Sequence, residues 1–295
     1  MIIFMAEHAG FCFGVKRAVD AIELALQHTP EVWTIGLPIH NPQEVHRLQA
    51  LGLKVAKSEA DIPTGAKVLI RAHGESINVI DTLIQKGVHV EDMTCPFVKK
   101  AQDMAAELSR NGWHVVLLGD KNHPEIKGII GHTINPDNVD VVADDTEARN
   151  ISRHNKIALV SQTTQREERL AKVAGILAVK CSELHVCNTI CKATAQRQEA
   201  VRELVRHNHV DGVVLIGGRQ SANTAKLRDI IETEGVSVLW AEDEMDINEN
   251  NSWFMDKYTI GIAAGASTPG WLIDKISNII AEKKAVEGDL PSERG

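Results

Sequence analysis

The stretch "AGFCFGVKRAVDA", residues 9–21, sets a cysteine at the mouth of a helix. Cys12 lies between Gly10 and Gly14, and apolar residues then fall at Val15, Ala18, Val19, Ile22, Ala25 and Leu26, the spacing of one helical face. A short apolar strand follows, "VWTIG". Taken alone, Cys12 reads as a small buried residue. The chain, however, repeats the arrangement. After Cys95 come Phe97, Val98, Ala101, Met104, Ala105 and Leu108, then the strand "HVVLLG". After Cys191 come Ala193, Ala200, Val201, Leu204 and Val205, then "GVVLIGG". The three cysteines stand 83 and 96 residues apart.

Three more buried strands run into polar loops: "AKVLIRAHG", "KIALVSQTT" and "YTIGIAAGAS". A helical pattern follows each. Strands alternating with helices predict parallel sheets with functional loops at the strand C-termini. The expected fold class is α/β: three similar small domains with parallel sheets, over residues 13–94, 95–189 and 190–282. Residues 1–12 are expected to pair with the third domain, and 283–295 to form a frayed polar tail.

Composition narrows the function. The 295 residues are 43% hydrophobic and 24% charged, as in ordinary globular proteins. The net charge of −8 speaks against nucleic acid as a main partner. No apolar run approaches the roughly 18 residues of a membrane helix, and the N-terminus lacks the basic start and apolar segment of a signal peptide. A cytoplasmic location is expected. The five cysteines, Cys12, Cys95, Cys181, Cys187 and Cys191, are odd in number. In a reducing compartment they point to metal binding or catalysis rather than to a disulfide framework.

Unpaired amides and the helix dipole favour an anion at a helix N-terminus, and so favour the thiolate form of a cysteine placed there. Three such thiolates converging from related domains suit an iron–sulfur cluster or zinc. Four irons held by three thiolates leave one iron open as a Lewis acid. Cys181 and Cys187 have no counterparts in the other repeats and read as buried or incidental. The CxxxC pair Cys187 and Cys191 is a competing metal motif that lacks evident further ligands.

Six strand-ending loops carry polar residues suited to an anion: His40 in "PIHNP", His73 in "RAHGES", His123 and Glu125 in "KNHPEIKG", Thr163 and Thr164 in "SQTTQRE", Ser221 and Asn223 in "GGRQSANT", and Ser267 in "AGASTPG". Several also have structural readings. Thr164 with Glu167 fits a capping box for a helix beginning near Gln165. Thr268 before Pro269 fits an N-cap, and Ser76 and Thr224 fit caps. Glu125 is either a proton donor with a raised pKa or a first-turn glutamate favoured by the dipole.

"GFCFGVKRA", "IHNP", "RAHG", "DMTCPFV", "NHPE", "SQTT", "CKATAQRQEA", "SANT" and "GAST" occur in the order seen in the IspH (LytB) family. The chain resembles these reductases of hydroxymethylbutenyl diphosphate, the last step of the methylerythritol phosphate route to isoprenoids, from about residue 10 to about residue 270. The resemblance implies a three-domain cloverleaf around a 4Fe–4S cluster held by Cys12, Cys95 and Cys191. It implies that His40, His73, His123, Ser221, Asn223 and Ser267 hold the diphosphate. It makes Glu125 the proton source and sets Thr163 near the substrate hydroxyl, with His123 grouped among the catalytic residues. The family pattern has a second serine where this chain has Ala222, which leaves a backbone N–H as the donor there and implies at most a modest change in affinity.

The implied reaction is reductive removal of an allylic hydroxyl to give isopentenyl or dimethylallyl diphosphate. "GIAAGAS" is a poor dinucleotide loop, so electrons are expected from a ferredoxin or flavodoxin. Lys16, Arg17, Lys99, Lys100 and Lys192 flank the cysteines as either a basic docking face or scattered surface charge. Two other readings stay open on sequence: a metal protein whose zinc or closed cluster is purely structural, and a hydratase-type cluster enzyme with no net reduction.

Overall fold

Apolar runs bounded by turns become strands, and helix-spaced faces cover them in three successive laps of the chain. The computed structural model describes the backbone of residues 1–288 and the side chains of residues 1–283. A short strand β1 (Ile2–Met5) comes first. The first lap is α1 (Phe13–His28), β2 (Val32–Ile35), α2 (Pro42–Ala50), β3 (Leu53–Ala56), β4 (Lys67–Ile70), α3 (Ile77–Gln85) and β5 (His89–Asp92). The second is α4 (Pro96–Arg110), β6 (His114–Leu118), α5 (Pro124–Ile130), β7 (Val139–Val142), α6 (Asp145–Ala148), β8 (His154–Ser161), α7 (Glu167–Ala178) and β9 (Cys181–Cys187). The third is α8 (Lys192–Asn208), β10 (Gly212–Ile216), α9 (Ala222–Thr233), β11 (Ser237–Ala241), α10 (Glu244–Glu249), β12 (Thr259–Ala264) and α11 (Gly270–Gly288).

Among the described residues these strands make three four-stranded sheets, and every pairing is parallel. The orders are β3-β2-β4-β5, β7-β6-β8-β9 and β11-β10-β12-β1. The order is the same each time: second strand, first, third, fourth. The third lap has no fourth strand of its own, and β1 supplies it, with Ile2 opposite Thr259 and Met5 opposite Ile262. Each cysteine therefore follows a fourth strand and precedes a first helix.

β6 and β10 are buried along their whole length. Helices cover both faces of these central strands, as parallel sheets require. One face of the second sheet packs Val115, Leu117, Ala158 and Val160 beneath α4 and α5, and the other packs Val116, Leu118, Ile157 and Leu159 with Leu170 and Val173 of α7. The third sheet is covered in the same way, by α8 and α9 on one side and by α11 on the other. Contacts gather the three sheets into two compact units. One holds residues 13–39 and 45–194, with the first two sheets; the other holds 1–12, 40–44 and 195–295, with the third.

α11 runs on to Gly288, so residues 283–288 of the expected tail are helical; residues 289–295 lie outside the described residues. No helix among the described residues is long and apolar enough to cross a membrane.

Candidate active site

The larger unit brings together six of the residues singled out above. Cys95 and Cys191 occupy the position just before α4 and α8, where first-turn amides lack intrahelical acceptors. The backbone N–H of Cys95 donates to the carbonyl of Ala72, next to His73, and that of Cys191 donates to the carbonyl of Thr163, each at 3.0 Å. His73 and His123 meet edge to face, with ring centroids 5.4 Å apart. His123 is the N-cap of α5, its Nδ1 accepting from the Glu125 N–H at 3.1 Å, and Pro124 fills the first helical position. Glu125 then turns inward, 1% exposed. Its Oε1 accepts from the Thr163 N–H at 2.6 Å and its Oε2 from the Thr163 hydroxyl at 2.9 Å.

Burial dominates the electrostatics of that carboxyl. It raises the pKa from 4.5 to about 7, against the lowering effect of the two Thr163 hydrogen bonds. Glu125 therefore holds a proton near neutrality and has an acceptor-and-donor hydroxyl beside it. That is the condition of a general acid.

The smaller unit repeats part of this pattern. Cys12 precedes α1, and its N–H donates to the carbonyl of Ala266, next to Ser267, again at 3.0 Å. So the cysteine amide reaches the loop after the third strand in all three layers. Ser267 donates its hydroxyl to the His40 carbonyl at 3.1 Å. A side chain at Gly218 would place its Cβ 2.3 Å from that same carbonyl, so glycine is required for the loop after β10 to approach His40. Ser221 caps α9, accepting from the Thr224 N–H at 3.2 Å. Ala222 takes the first helical position, where an N–H has no intrahelical acceptor. Asn223 comes next, 4% exposed, and both polar atoms of its amide are buried with no hydrogen-bond partner among the described residues. An orphaned buried amide is costly unless a ligand completes it.

Cys95 and Cys191 have settings that suit thiolate ligands of a metal or cluster. Sulfur of Cys191 accepts from the Thr194 N–H at 3.3 Å. A Cβ at Gly14 would fall 2.6 Å from the sulfur of Cys95, so the glycine of "GFCFG" keeps that sulfur's surroundings clear. Cys187 is different: it is 3% exposed in the core beneath α4, and burial pushes its thiol pKa up. Cys181 bonds the Leu177 carbonyl through its sulfur. Neither has the setting of a thiolate ligand, which removes the CxxxC alternative.

Three expected caps turn out otherwise. α7 starts at Glu167, with Arg166 at the N-cap and no side-chain cap bond. The Thr164 hydroxyl is buried without a partner, in a turn closed by the Gln165 N–H on the Gln162 carbonyl. Thr268 donates its hydroxyl to the Ile216 carbonyl and so ties β10 to the loop after β12 rather than capping α11. Thr224 supplies the N–H that Ser221 caps. Ser76 does cap α3.

Sequence reasoning missed the contacts that hold these loops. Arg197 of α8, 6% exposed, donates to the Gly10 carbonyl at 2.8 Å, and Arg17 of α1 donates to the Thr94 carbonyl at 3.1 Å. Each arginine steadies the segment leading into a cysteine. A long cation on an otherwise apolar helical face was the available signal. Trp240 of β11 donates its indole N–H to the Gly217 carbonyl at 2.6 Å, which anchors the loop before Ser221.

These features define a class: parallel α/β proteins in which thiols at helix N-termini adjoin strand-end loops that carry a buried acid and an orphaned amide. The chain belongs to the LytB protein family, whose pattern it matches over residues 3–281. It is 40% identical over 292 residues to a 4-hydroxy-3-methylbut-2-enyl diphosphate reductase of Aquifex aeolicus, covering 98% of this chain and 99% of that one. A solved (E)-4-hydroxy-3-methyl-but-2-enyl diphosphate reductase, described as the terminal enzyme of the non-mevalonate pathway, is 39% identical with a TM-score of 0.67, over 96% of this chain and all of that one. The E-1-hydroxy-2-methyl-but-2-enyl-4-diphosphate reductase of Plasmodium falciparum shares the fold, with a TM-score of 0.89 at 24% identity, over 95% of this chain and 88% of that one.

Proposed function

We propose that this protein is a 4Fe–4S enzyme that converts (E)-4-hydroxy-3-methylbut-2-enyl diphosphate to isopentenyl and dimethylallyl diphosphate. Substrate, two electrons and two protons give product and one water. Near-complete alignment with reductases of that substrate carries the reaction, and the Glu125–Thr163 pair is the structural observation that fits it best.

Cys12, Cys95 and Cys191 hold the cluster. When bound, it supplies electrons singly and a Lewis acid for the departing oxygen. The chain's own residues do the rest. The diphosphate is held by His40, His73, His123, Ser221, Asn223 and Ser267, with the Ala222 N–H standing in for the serine side chain absent there. Asn223 supports this assignment, since the NH2 of its orphaned amide lacks the acceptor that a phosphate oxygen supplies. Glu125, its pKa pushed up to about 7, retains a carboxyl proton into the neutral range and gives it to the leaving hydroxyl, with Thr163 fixing the carboxyl plane. His123 acts twice: it holds phosphate and, through its bond to the Glu125 N–H, orients the acid.

The electron donor is a ferredoxin or flavodoxin. The basic face expected to receive it is weaker than the sequence suggests. Lys16 pairs with Asp20 and Lys99 with Asp103, while Arg17 is engaged by backbone carbonyls. Exposed Lys100, Lys192, Phe13 and Phe97 support docking through a mixture of charge and apolar contact. The reducing cytoplasm is the setting that thiolate ligands require.

The test is an anaerobic assay of Cys→Ser variants. Positions 12, 95 and 191 should each lose iron and turnover, while Cys181→Ser and Cys187→Ser keep both. Full activity and iron content in any of the first three would remove that residue from the ligand set.

A further inference from the structure

The second sheet has a second cluster of ligating side chains at the edge opposite Glu125 and Thr163. His114 opens β6, Asp140 is the second residue of β7 and His154 opens β8, and these three strands are neighbours. The loops bearing Glu125 and Thr163 leave the far ends of β6 and β8, about 15 Å along a five-residue strand. One ligand atom from each of the three side chains lies within 4.8 Å of the others. Nothing in the reaction above uses them.

Hydrogen bonding fixes the state of His114. The amide nitrogen of Asn138 donates to the Trp113 carbonyl at 3.1 Å, which leaves Asn138 Oδ1 facing His114 Nδ1 at 2.8 Å. An amide oxygen only accepts, so Nδ1 carries the hydrogen. In the neutral ring the lone pair then sits on Nε2, and Nε2 faces Asp140 Oδ2 at 2.8 Å. A lone pair directed at a carboxylate oxygen is repulsive unless a cation lies between. The cation is a proton or a metal ion. A ring held through Nδ1–H by a carbonyl oxygen while Nε2 points at a second anionic donor is the arrangement that outer hydrogen bonds impose on metal-ligating histidines.

His154 supplies the third donor. Its ring stacks on His114, with centroids 3.6 Å apart and planes 8° from parallel, and its nitrogens have no hydrogen-bond partner among the described residues. Parallel rings do not both direct in-plane lone pairs at one ion. The half-exposed His154 therefore turns out of the stack on binding, a rotation that no hydrogen bond opposes. His114 is nearly buried while Asp140 is about half exposed, so an ion has a path in and water can complete its shell.

We propose that His114, Asp140 and His154 form a binding site for a divalent late-transition metal, zinc foremost. Two imidazoles and one carboxylate are a donor set that tetrahedral zinc accepts, with water fourth, and are poor for calcium or magnesium. The bound ion clasps the leading ends of β6, β7 and β8 and stabilises the sheet that carries Glu125.

The experiment uses cluster-loaded protein, so that the three cluster cysteines do not compete. Equilibrium dialysis against zinc chloride with elemental analysis should find about one zinc per chain beyond the cluster iron, at micromolar or tighter affinity, and zinc should raise the Tm. Asp140→Asn and His154→Ala should each abolish that zinc and the Tm rise. Asn138→Ala, which frees the His114 ring, should weaken binding about tenfold. Asp140→Asn keeps a hydrogen-bonding side chain and His154 is half exposed, so both variants are expected to fold, and far-UV circular dichroism checks this. Wild-type protein that takes up no zinc, or variants that bind it as tightly as wild type, would overturn the proposal and leave a proton as the cation between His114 and Asp140.

Discussion

Gln43, Glu125 and Asn223 occupy the same place in three successive layers, the second residue of the helix that follows the first strand, and they stand in three different conditions. Gln43 is partly buried and donates to Asp243 at 3.1 Å. Glu125 is buried and fully met by Thr163. Asn223 is buried and met by no side chain or backbone group among the described residues. Position alone therefore says little about role. A buried acid whose hydrogen bonds are complete but whose charge is disfavoured is built to hold and release a proton. A buried amide left open is built for something that arrives. A half-buried amide bonded to a half-buried carboxylate is ordinary structure.

The largest effect should come from Glu125→Gln, which keeps the shape and loses the proton. Turnover should fall about a hundred- to ten-thousand-fold, the usual worth of a positioned acid, while substrate still binds. An unchanged kcat would sink the distinction drawn here between the two buried residues. Next comes Asn223→Ala. It should raise KM about ten- to a hundredfold, the worth of one or two hydrogen bonds to a charged group, and barely move the protein's stability, because no native bond is lost.

Smaller again is the effect of Thr163→Val on the pH profile. In the wild type, kcat should decline as pH rises through about 7, where Glu125 loses its proton. The Thr163 hydroxyl holds that pKa down, so its removal should move the decline to higher pH. Stability should follow the same group. Glu125 keeps its proton up to about pH 7 when folded but only to 4.5 in its ordinary state. Its contribution is therefore complete below 4.5 and lost as pH rises through 7. Denaturant unfolding across that window should show the slope in wild type and not in Glu125→Gln. The smallest change belongs to Gln43→Ala, expected to leave kcat and KM within about twofold and stability within about 0.5 kcal/mol.

Much of this was readable from residue order. The cysteine-helix-strand unit recurs at Cys12, Cys95 and Cys191, and each cysteine does precede a helix, because apolar periodicity fixes where helices begin. Polar residues at strand ends were visible for the reason that parallel sheets put loops there. The cap assignment at Thr268 failed because a tertiary partner outcompeted the local one, and that at Thr164 because the helix begins only at Glu167 and the threonine hydroxyl is buried without a partner. Ile216 offers a carbonyl to Thr268, and the turn around Thr164 presents the Thr163 N–H to Glu125. The partners of Arg197 and Trp240 could not be read locally, since each acts on a carbonyl far away in the chain. Which of three like positions is the acid and which the open amide follows from burial and partners. Residue type suggested it, and only the packing around Thr163 accounts for it.

That β1 closes the third sheet has a consequence for biosynthesis. A nascent chain delivers Ile2 first, yet its neighbour Thr259 emerges roughly 250 residues later, some 10 to 50 seconds at common elongation rates. The first two sheets have all their strands by then. The third waits on a strand pairing of long sequence separation, and its assembly should be the last step in making the protein.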